Sequence, residues 1–357
     1  MKTPSQLAES IRRFQEGFWA KRSSERPCVG VVNEGVFLPI NYIRRAFARA
    51  EVMPQDVGAD LVMTDYEFGF AERAVSCDDF LPFSAPWRGV PWVEACCGCP
   101  VRYSPASLAP GHFVGSAADL AGVPIPAGNE WFECMKRQTA LLAGSCPADC
   151  WISPSILRGP SDVIAAMRGL TEFYCDLHDH PDLIAQAAAR VNRLLIQALD
   201  MHFGIVQPKL GGYGHIYGYW APGKTLVIQE DVLGMCSPGT YRDIFMEHNA
   251  RLVEHLGPHV LFHLHTTGCA HHKDVLAIPG IAGVEITVEA NGPPLLEMVS
   301  VLREVLEKSR LILFVDHGFE QLTRVLRHLP RQGLYLVIPD RYIRSDDDFR
   351  HFTAAHW

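Results

Sequence analysis

The sequence lacks long apolar runs and clusters of positive charge. None of its apolar runs approaches the roughly 20 residues that a membrane-spanning helix requires. It has no run of lysines or arginines, and its formal net charge is −8. We therefore expect neither a nucleic acid nor an anionic membrane as a partner.

The first 26 residues lack the apolar segment of a signal peptide and instead form a polar, helix-like pattern. The eleven cysteines are an odd number, which favours free thiols in a reducing, cytoplasmic compartment over a disulfide framework. Internal repeats, low-complexity tracts and obvious linkers are also lacking. The sequence therefore predicts an N-terminal helical extension over residues 1–26 and one domain over residues 27–357.

Short apolar runs rich in β-branched residues recur along the chain, with helical patterns between several of them. Apolar strands that alternate with helices predict a parallel sheet covered on both faces. The runs are CVGVVNEG (28–35), DLVMTDYE (60–67), WVEACCGC (92–99), CWISPS (150–155), TLVIQED (225–231), HVLFHLHT (259–266), IAGVEITVE (281–289), LILFVDH (311–317) and GLYLVIPD (333–340). They predict an α/β fold, a single (β/α)8 TIM-type barrel that follows the N-terminal helical extension. A doubly wound open sheet is the competing fold.

The segment LFHLHTTGCAHHKD (261–274) contains four histidines. Side chains alternate along a strand, so His263 and His265 share one face and Phe262 and Leu264 share the other. The apolar pair suits contact with outer helices, so the two histidines should point toward the barrel axis at the C-terminal end of their strand. Two imidazoles at this spacing can bind one metal ion. The alternative is a pair that hydrogen-bonds neighbouring groups or binds substrate directly.

The other histidines near helix boundaries are predicted to be structural. His271 and His272 follow a glycine and are expected at a solvated helix start. His178 and His180 precede a proline, which is typical of a junction between helices. Neither pair is predicted to take part in the chemistry.

The segment KLGGYGHIYGYWAPGK (209–224) is rich in glycine and aromatic residues but lacks the spacing of a dinucleotide-binding loop. We expect a mobile aromatic lid over the barrel mouth, with Tyr217 and Trp220 as substrate-binding candidates. An ordinary packed loop is the alternative.

The remaining strand ends supply further candidates. The run EACCGC offers Glu94 as a catalytic carboxylate and Cys99 as a metal ligand, although such cysteines are often small buried apolar groups. In the next strands, Glu285 is a candidate metal ligand, Asp316 a candidate acid or base, and His317 a candidate substrate-binding residue. Isolated carboxylates at strand ends can instead cap helices.

Several motifs resemble the uroporphyrinogen decarboxylase superfamily, in the expected order over roughly residues 27–345. RGPSDVIAAMRGLTEFYCDLHDHPDLIAQ is similar to its central helical segment, and VLFHLHTTGCAHHKDVLAIPGIAGVEI to a later strand and turn. WVEACCGCPV and QEDVLGMCSP are similar to its decarboxylase-like branch. GADLVMTD resembles its second strand, whose terminal aspartate holds the pyrrole nitrogens in true decarboxylases. The resemblance implies a single barrel and makes Asp65 a candidate catalytic residue.

The resemblance does not extend to the substrate of true uroporphyrinogen decarboxylases. Their first strand leads into a loop with two arginines that grip substrate carboxylates. In VVNEGVFLP (31–39), Val32 and Val36 stand at those positions, and valine cannot make charge-assisted contacts. Asn33, in the same loop, is a candidate substrate-binding residue. We therefore do not expect a tetrapyrrole substrate.

A second branch of the superfamily consists of zinc-dependent methyltransferases, whose ligands are a His-x-Cys pair and a later cysteine. His263 matches the first ligand, His265 replaces the second, and no cysteine follows Cys269. A harder site of nitrogen and oxygen ligands is what remains. The resemblance implies a divalent metal, zinc above all, and a methyltransferase acting on a small molecule or a corrinoid-linked methyl group. It further implies a corrinoid protein as a partner, and a homodimer.

Two other functions stay open. One is a metal-free decarboxylase or lyase of a small substrate, in which Asp65 and the histidines act as acid and electrostatic stabiliser. The other is a non-catalytic barrel that binds a corrinoid or an aromatic ligand, since fold does not fix function. A stoichiometric metal separates the methyltransferase from the lyase, and tight binding without turnover indicates the third function.

Overall fold

A computed structural model of the chain describes residues 2–33, 51–58, 73–103, 108–125 and 128–357. The strand predicted over residues 60–67 lies outside the described residues, and so does Asp65. The role of Asp65 therefore stays a prediction.

The described strands form one large parallel sheet and three small sheets. The strands are β1 Cys28–Val32, β2 Glu51–Val52, β3 Phe83–Ser84, β4 Val101–Tyr103, β5 Leu108–Pro110, β6 Trp151–Ile152, β7 Tyr213–Gly214, β8 Trp220–Ala221, β9 Leu226–Ile228, β10 Val260–His265, β11 Gly283–Thr287, β12 Arg310–Phe314 and β13 Leu334–Pro339. The large sheet has six parallel strands in the order β1-β13-β12-β11-β10-β9. β3 and β6 pair in parallel, whereas β2-β4-β5 and β7-β8 are antiparallel.

Helices connect the parallel strands. The α-helices are α1 Pro4–Arg13, α2 Trp92–Cys96, α3 Glu130–Ser145, α4 Pro160–Arg168, α5 Leu170–Asp179, α6 Pro181–Ile205, α7 Pro238–Thr240, α8 Met246–Leu256, α9 His272–Leu276, α10 Val299–Lys308, α11 Phe319–Leu326 and α12 Asp346–His356. Shorter 3₁₀ and π-helical turns lie at Phe14–Trp19, Pro54–Asp56, Ala118–Gly122, Asp231–Met235, Tyr241–Phe245, Thr266–His271 and Leu295–Met298. Within the described ranges, no helix is both long enough and apolar enough to cross a bilayer.

The sheet topology confirms the coarser part of the fold prediction. The chain is an α/β protein with a parallel sheet, and seven of the nine predicted runs contain a described strand of β1, β6 or β9 to β13. The strand pairs among the described residues do not close into a ring. The eight-stranded, closed barrel therefore stays a prediction, as does the division at residue 26.

The two faces of the large sheet pack against different groups. Phe262 and Leu264 belong to a large hydrophobic cluster that also includes buried residues of α4, α6 and α10. Leu261, which alternates with them, belongs to a second cluster with Ile312 and Tyr335 of the neighbouring strands. His263 and His265 therefore lie on the face of β10 opposite the helices, as the alternation predicted.

The run at 92–99 was predicted to be a strand, and this was wrong. Residues Trp92–Cys96 form the short helix α2, all of whose residues are buried. Gly98 then takes a positive φ of 97°, and the chain extends only from Val101 onward. A short apolar run buried on all sides carries no periodicity, so its pattern cannot distinguish a strand from a helix.

The segment at 209–224 is not a mobile lid. Its centre forms an aromatic hairpin, residues 213–221, whose strands β7 and β8 pair and whose Tyr219 and Trp220 are buried. A Cβ on Gly218 would lie 2.4 Å from the ring of Phe80. The glycine allows close packing here rather than mobility, because a larger residue would not fit.

The predicted N-terminal helix is present and packs against the second hydrophobic cluster. Thr3 caps α1 together with Gln6 in a reciprocal capping box, and the helix continues into the π-helical turn Phe14–Trp19. The ring of Phe14 lies 5.0 Å from that of Tyr335 in an edge-on contact. Trp19 donates a hydrogen bond of 2.6 Å to the carbonyl oxygen of Trp220. The extension is therefore part of the packed structure.

Candidate metal centre

Three side chains from two neighbouring strand ends bring ligand atoms together. Asp231, His263 and His265 each offer one atom, and these atoms lie within 4.8 Å of one another. Asp231 Oδ1 lies 3.5 Å from His263 Nε2 and 3.8 Å from His265 Nε2. His263 is buried, whereas the side chains of His265 and Asp231 are 33% and 34% exposed. The group is therefore closed on the side of His263 and reachable from solvent on the side of His265 and Asp231.

The parallel pairing of β9 and β10 explains why these residues meet. Ile228 at the end of β9 is in register with Phe262, so the residues after β9 lie beside His263. Asp231 begins the 3₁₀ turn Asp231–Met235. The buried carboxylate of Asp162 accepts hydrogen bonds from the backbone N–H groups of Asp231 and Val232, which fixes the start of that turn. Asp231 is thus held by its backbone as well as by its side chain.

A polar side chain lies behind each of the three residues, and two of the three contacts are hydrogen bonds. His263 Nδ1 forms a short hydrogen bond with the buried Glu285 carboxylate. His265 Nδ1 lies 3.1 Å from Glu289 Oε2. Gln229 Nε2 donates a hydrogen bond of 2.8 Å to Asp231 Oδ2. Carboxylates on the far nitrogen of histidine ligands fix the tautomer and the ring orientation in metal sites.

The group suits a divalent metal ion. His263 Nε2 is buried and has no hydrogen-bond partner among the described residues, a costly state unless something binds it. Ligand atoms bound to zinc at tetrahedral angles lie about 3.4 Å apart, close to the 3.5 and 3.8 Å from Asp231 Oδ1 to the two histidines, while the two histidine nitrogens lie within 4.8 Å of each other. Two imidazoles and one carboxylate are the donors of several catalytic metal sites that keep an open position.

The environment of His263 favours hydrogen-bond donation to Glu285. Burial alone acts to lower the pKa of His263, but the Glu285 carboxylate and the more distant Asp231 raise it to about 9. Thr287 Oγ1 donates to the other Glu285 oxygen at 2.9 Å, and the Tyr217 hydroxyl lies 3.4 Å from His263 Nδ1. Glu285 is therefore a buried anchor for the ring of His263.

Two further buried carboxylates lie behind Asp231. Glu230 is fully buried, and burial raises its pKa to about 7 although Ser161 donates to it from both its backbone and its hydroxyl. Burial and the charges of Asp231 and Glu230 raise the pKa of Asp162 well above its usual range. These groups join the start of α4 to the residues after β9.

The predicted residues Glu94 and Cys99 lie near the group but outside it. Glu94 Oε1 is 2.5 Å from Arg158 Nε, so this buried carboxylate forms an ion pair. Cys99 is buried, and burial raises the pKa of its thiol above the usual range, which disfavours the thiolate that a metal would need. Among the described residues, Cys99 is not part of the three-residue group. Glu285, a predicted metal ligand, contacts His263 Nδ1 instead.

The other predicted site residues divide between the group and its surroundings. Tyr217 reaches His263, whereas Trp220 is buried at the far end of the aromatic hairpin against Trp19. Asp316 and His317 follow β12, where Arg341 Nη2 donates to Asp316 Oδ1 at 2.7 Å. Asn33 directly follows β1. The ends of β1 and β12 and the histidines lie on the same edge of the large sheet, because its strands run in parallel.

Asp231 and Gln229 were not among the residues predicted from the sequence. The signal for them was the run QED directly after the apolar strand TLVI, beside the strand that carries the two histidines. Polar side chains at the C-terminal ends of adjacent parallel strands tend to meet. Which two strands are adjacent, however, depends on the sheet order.

His271 and His272 were correctly placed near a helix start, but the prediction that they are solvated was wrong. His271 is 2% and His272 7% exposed. His272 Nδ1 hydrogen-bonds the carbonyl oxygen of Cys269 at 2.7 Å, and its Nε2 lies 3.0 Å from Glu304. The 3₁₀ turn Thr266–His271 directs both rings inward. His178 lies in the last turn of α5 and is exposed, as predicted.

A solved methyltransferase from Methanosarcina mazei has a similar structure, with a TM-score of 0.62 over 98% of both chains. The two sequences are 11% identical, so this likeness concerns the fold alone. No family model matches the chain, and no curated protein matches its sequence.

Proposed function

We propose that this chain is a metal-dependent methyltransferase whose metal ion, zinc above all, is held by Asp231, His263 and His265. The observation that carries the proposal is the convergence of three ligand atoms, two of them on side chains that are hydrogen-bonded from behind by Glu285 and Gln229. The methyltransferase fold of the similar structure supports the reaction class. Superfamily resemblance in the sequence supports the same class and implies a corrinoid-linked methyl group.

The chain's own residues would prepare the site for the reaction. Glu285 would accept the Nδ1 proton of His263, which would leave His263 Nε2 to bind the metal ion. Glu289 lies 3.1 Å from His265 Nδ1, on the side of the ring away from the group. Gln229 holds one oxygen of Asp231 and leaves the other free. A divalent ion at this position would act as a Lewis acid that lowers the pKa of a bound acceptor group.

The partly exposed side of the group would admit the substrate. Asp231 and His265 are each about one-third exposed, so a small molecule can reach their free atoms from solvent. The buried side, formed by His263 and Glu285, would exclude water from the back of the site. A small methyl acceptor and a methyl donor carried by a corrinoid, free or on a partner protein, are the proposed reactants.

The test is methyl transfer from methylcobalamin to a simple thiol by the zinc-loaded protein. Transfer changes the visible absorbance of the corrinoid, so turnover can be followed directly. We expect turnover in the wild type and a loss of about 10²-fold or more in Asp231→Asn, which removes a metal ligand but keeps the side-chain volume. His178→Ala, at an exposed helix end, is the control and should match the wild type.

The other outcomes favour the competing functions. Methylcobalamin binding without turnover indicates a corrinoid-binding protein. Wild-type protein that binds no metal and neither binds nor demethylates the corrinoid contradicts the proposal, and a metal-free lyase becomes the account to test.

A further inference from the structure

Arg158 lies next to the proposed metal centre and is held from one side only. Its Nε is 2.5 Å from Glu94 Oε1, and Glu94 is buried whereas the Arg158 side chain is 31% exposed. Among the described residues, no partner is assigned to either of its terminal nitrogens. The ion pair thus holds the guanidinium from one side and leaves its terminal nitrogens with hydrogen-bond donors to spare.

Backbone contacts place Arg158 beside the metal ligands. Arg158 forms a parallel bridge with Gln229, and Gly159 N donates to Gln229 O at 2.7 Å. Four residues beyond Arg158, the Asp162 carboxylate binds the N–H of Asp231. The segment 158–162 therefore runs alongside the segment 229–232, which carries one ligand and its supporting amide.

The charges agree with that placement. Burial acts to lower the pKa of Arg158, but nearby carboxylates, among them Glu94 and Asp231, raise it. The guanidinium is therefore a permanent cation at the rim of the site, beside the carboxylates of Glu94, Asp162 and Asp231. It is the part of this rim that can attract an anion.

We propose that Arg158 binds an oxyanion of the substrate, a carboxylate or a phosphate, and so orients the substrate toward Asp231, His263 and His265. Two terminal N–H groups in one plane match two oxygens of such an anion. Because the ion pair with Glu94 already restricts the Arg158 side chain, less side-chain freedom is lost on binding. The inference rests on the proposed function and adds the class of substrate: a small molecule with an anionic group beside its reacting atom.

A purely structural role is the competing account, in which Arg158 only neutralises the buried Glu94. Under that account the outer edge of the guanidinium binds nothing, and replacing Arg158 changes stability alone. The two accounts differ in whether a simple anion binds, which can be measured without any methyl transfer.

The experiment titrates sodium acetate and, separately, inorganic phosphate into desalted zinc-loaded protein and into metal-free protein, with calorimetric readout. We expect saturable binding of at least one anion to wild type, at least about tenfold weaker binding to Arg158→Gln, and an intermediate loss in Arg158→Lys. Arg303→Gln, which alters an exposed helix arginine, is the matched control and should bind as wild type. The preferred anion distinguishes a carboxylate from a phosphate substrate.

Wild-type binding that persists in Arg158→Gln, or no binding of either anion to wild type, would overturn the proposal. Removal of Arg158 leaves Glu94 buried and unpaired, so Arg158→Gln could unfold. The double variant Glu94→Gln, Arg158→Gln then replaces it, and Glu94→Gln alone should retain anion binding. If the zinc-binding or methyl-transfer experiments fail, the anion titration can still be interpreted. The titration of metal-free protein measures anion binding that depends on Arg158 and not on a metal ion.

Discussion

Glu285 is a fully buried carboxylate that contacts a histidine rather than an arginine or lysine. Its position opposite His263 in the register of β10 and β11 explains the contact, because paired residues in parallel strands lie side by side. The sequence predicted Glu285 to be a metal ligand. In the structure Glu285 instead hydrogen-bonds His263, one of the three proposed ligands. We therefore predict that replacing Glu285 changes the affinity of the site for zinc.

Glu285→Gln should weaken zinc binding about 10- to 100-fold, because the ring of His263 loses its charged hydrogen-bond acceptor. Competition with a chromogenic chelator measures the change. Glu304→Gln removes a similar carboxylate–histidine contact, with His272, away from the site and should leave the affinity unchanged. Equal affinities in wild type and Glu285→Gln would show that Glu285 does not support a metal ligand.

At the scale of elements, the aromatic hairpin is a structural insert and not a lid. Trp220 is 3% exposed, and a Cβ on Gly212 would lie 2.4 Å from its Nε1. The hairpin fills the space between the N-terminal helix and the inner face of the sheet, with Tyr335 donating to the Tyr217 carbonyl oxygen at 2.9 Å. Its contribution is therefore to stability and to the position of Tyr217.

Trp220→Ala should lower the free energy of unfolding by about 3–5 kcal/mol, the usual loss for a fully buried large aromatic residue. The bound zinc should be retained in the folded protein, because Trp220 is not one of the three proposed metal ligands. Urea unfolding and elemental analysis measure the two quantities. Trp357→Ala, at the partly exposed C-terminal end, is the control and should cost much less. A variant as stable as wild type would contradict the packing described.

Sequence patterns predicted the elements that carry a clear period. The alternation over β10 correctly placed His263 and His265 on one face, and the predicted junction between helices at His178 and His180 lies between α5 and α6. The run at 92–99 failed because it is apolar throughout, and the segment at 209–224 failed because glycine and aromatic residues suit both a lid and a packed hairpin. Asp231 could not be predicted without knowing that β9 lies next to β10, and this order is a property of the tertiary structure.

At the scale of the whole molecule, buried histidines make stability depend on pH. His202 and His215 are each 3% exposed, and burial lowers the pKa of each to about 3. In the unfolded chain both take up protons near the ordinary pKa of about 6.5. Between these values the unfolded state binds more protons at these two histidines than the folded state, so their contribution to stability is complete above pH 6.5 and falls as the pH decreases.

The free energy of unfolding should therefore fall by about 1.4 kcal/mol per pH unit for each of these histidines between pH 6 and 4. His215→Phe keeps a ring between Tyr217 and Tyr219 but cannot titrate, so its slope should be smaller by one histidine's share. His178→Gln, at an exposed position, should keep the wild-type slope. Urea unfolding as a function of pH measures this, and identical slopes in wild type and His215→Phe would contradict the account.

The direction of the parallel strands explains the position of the candidate site. The strands of the large sheet all end at one edge, where Asp231 follows β9, His265 is the last residue of β10 and Glu289 follows β11. Parallel α/β folds regularly place their chemistry at this edge. The central claim is that this edge holds one metal ion.

Elemental analysis of purified, untagged protein after zinc loading and desalting tests that claim most directly. The account predicts about one zinc per chain in wild type. The zinc should be lost in the double variant His263→Ala/His265→Ala and in the single variant Asp231→Asn, and it should be retained in the double variant His178→Ala/His180→Ala. The last variant removes two histidines at the same spacing from an exposed helix end. Wild-type protein that retains no zinc, or an Asp231→Asn variant that retains as much as wild type, would contradict it.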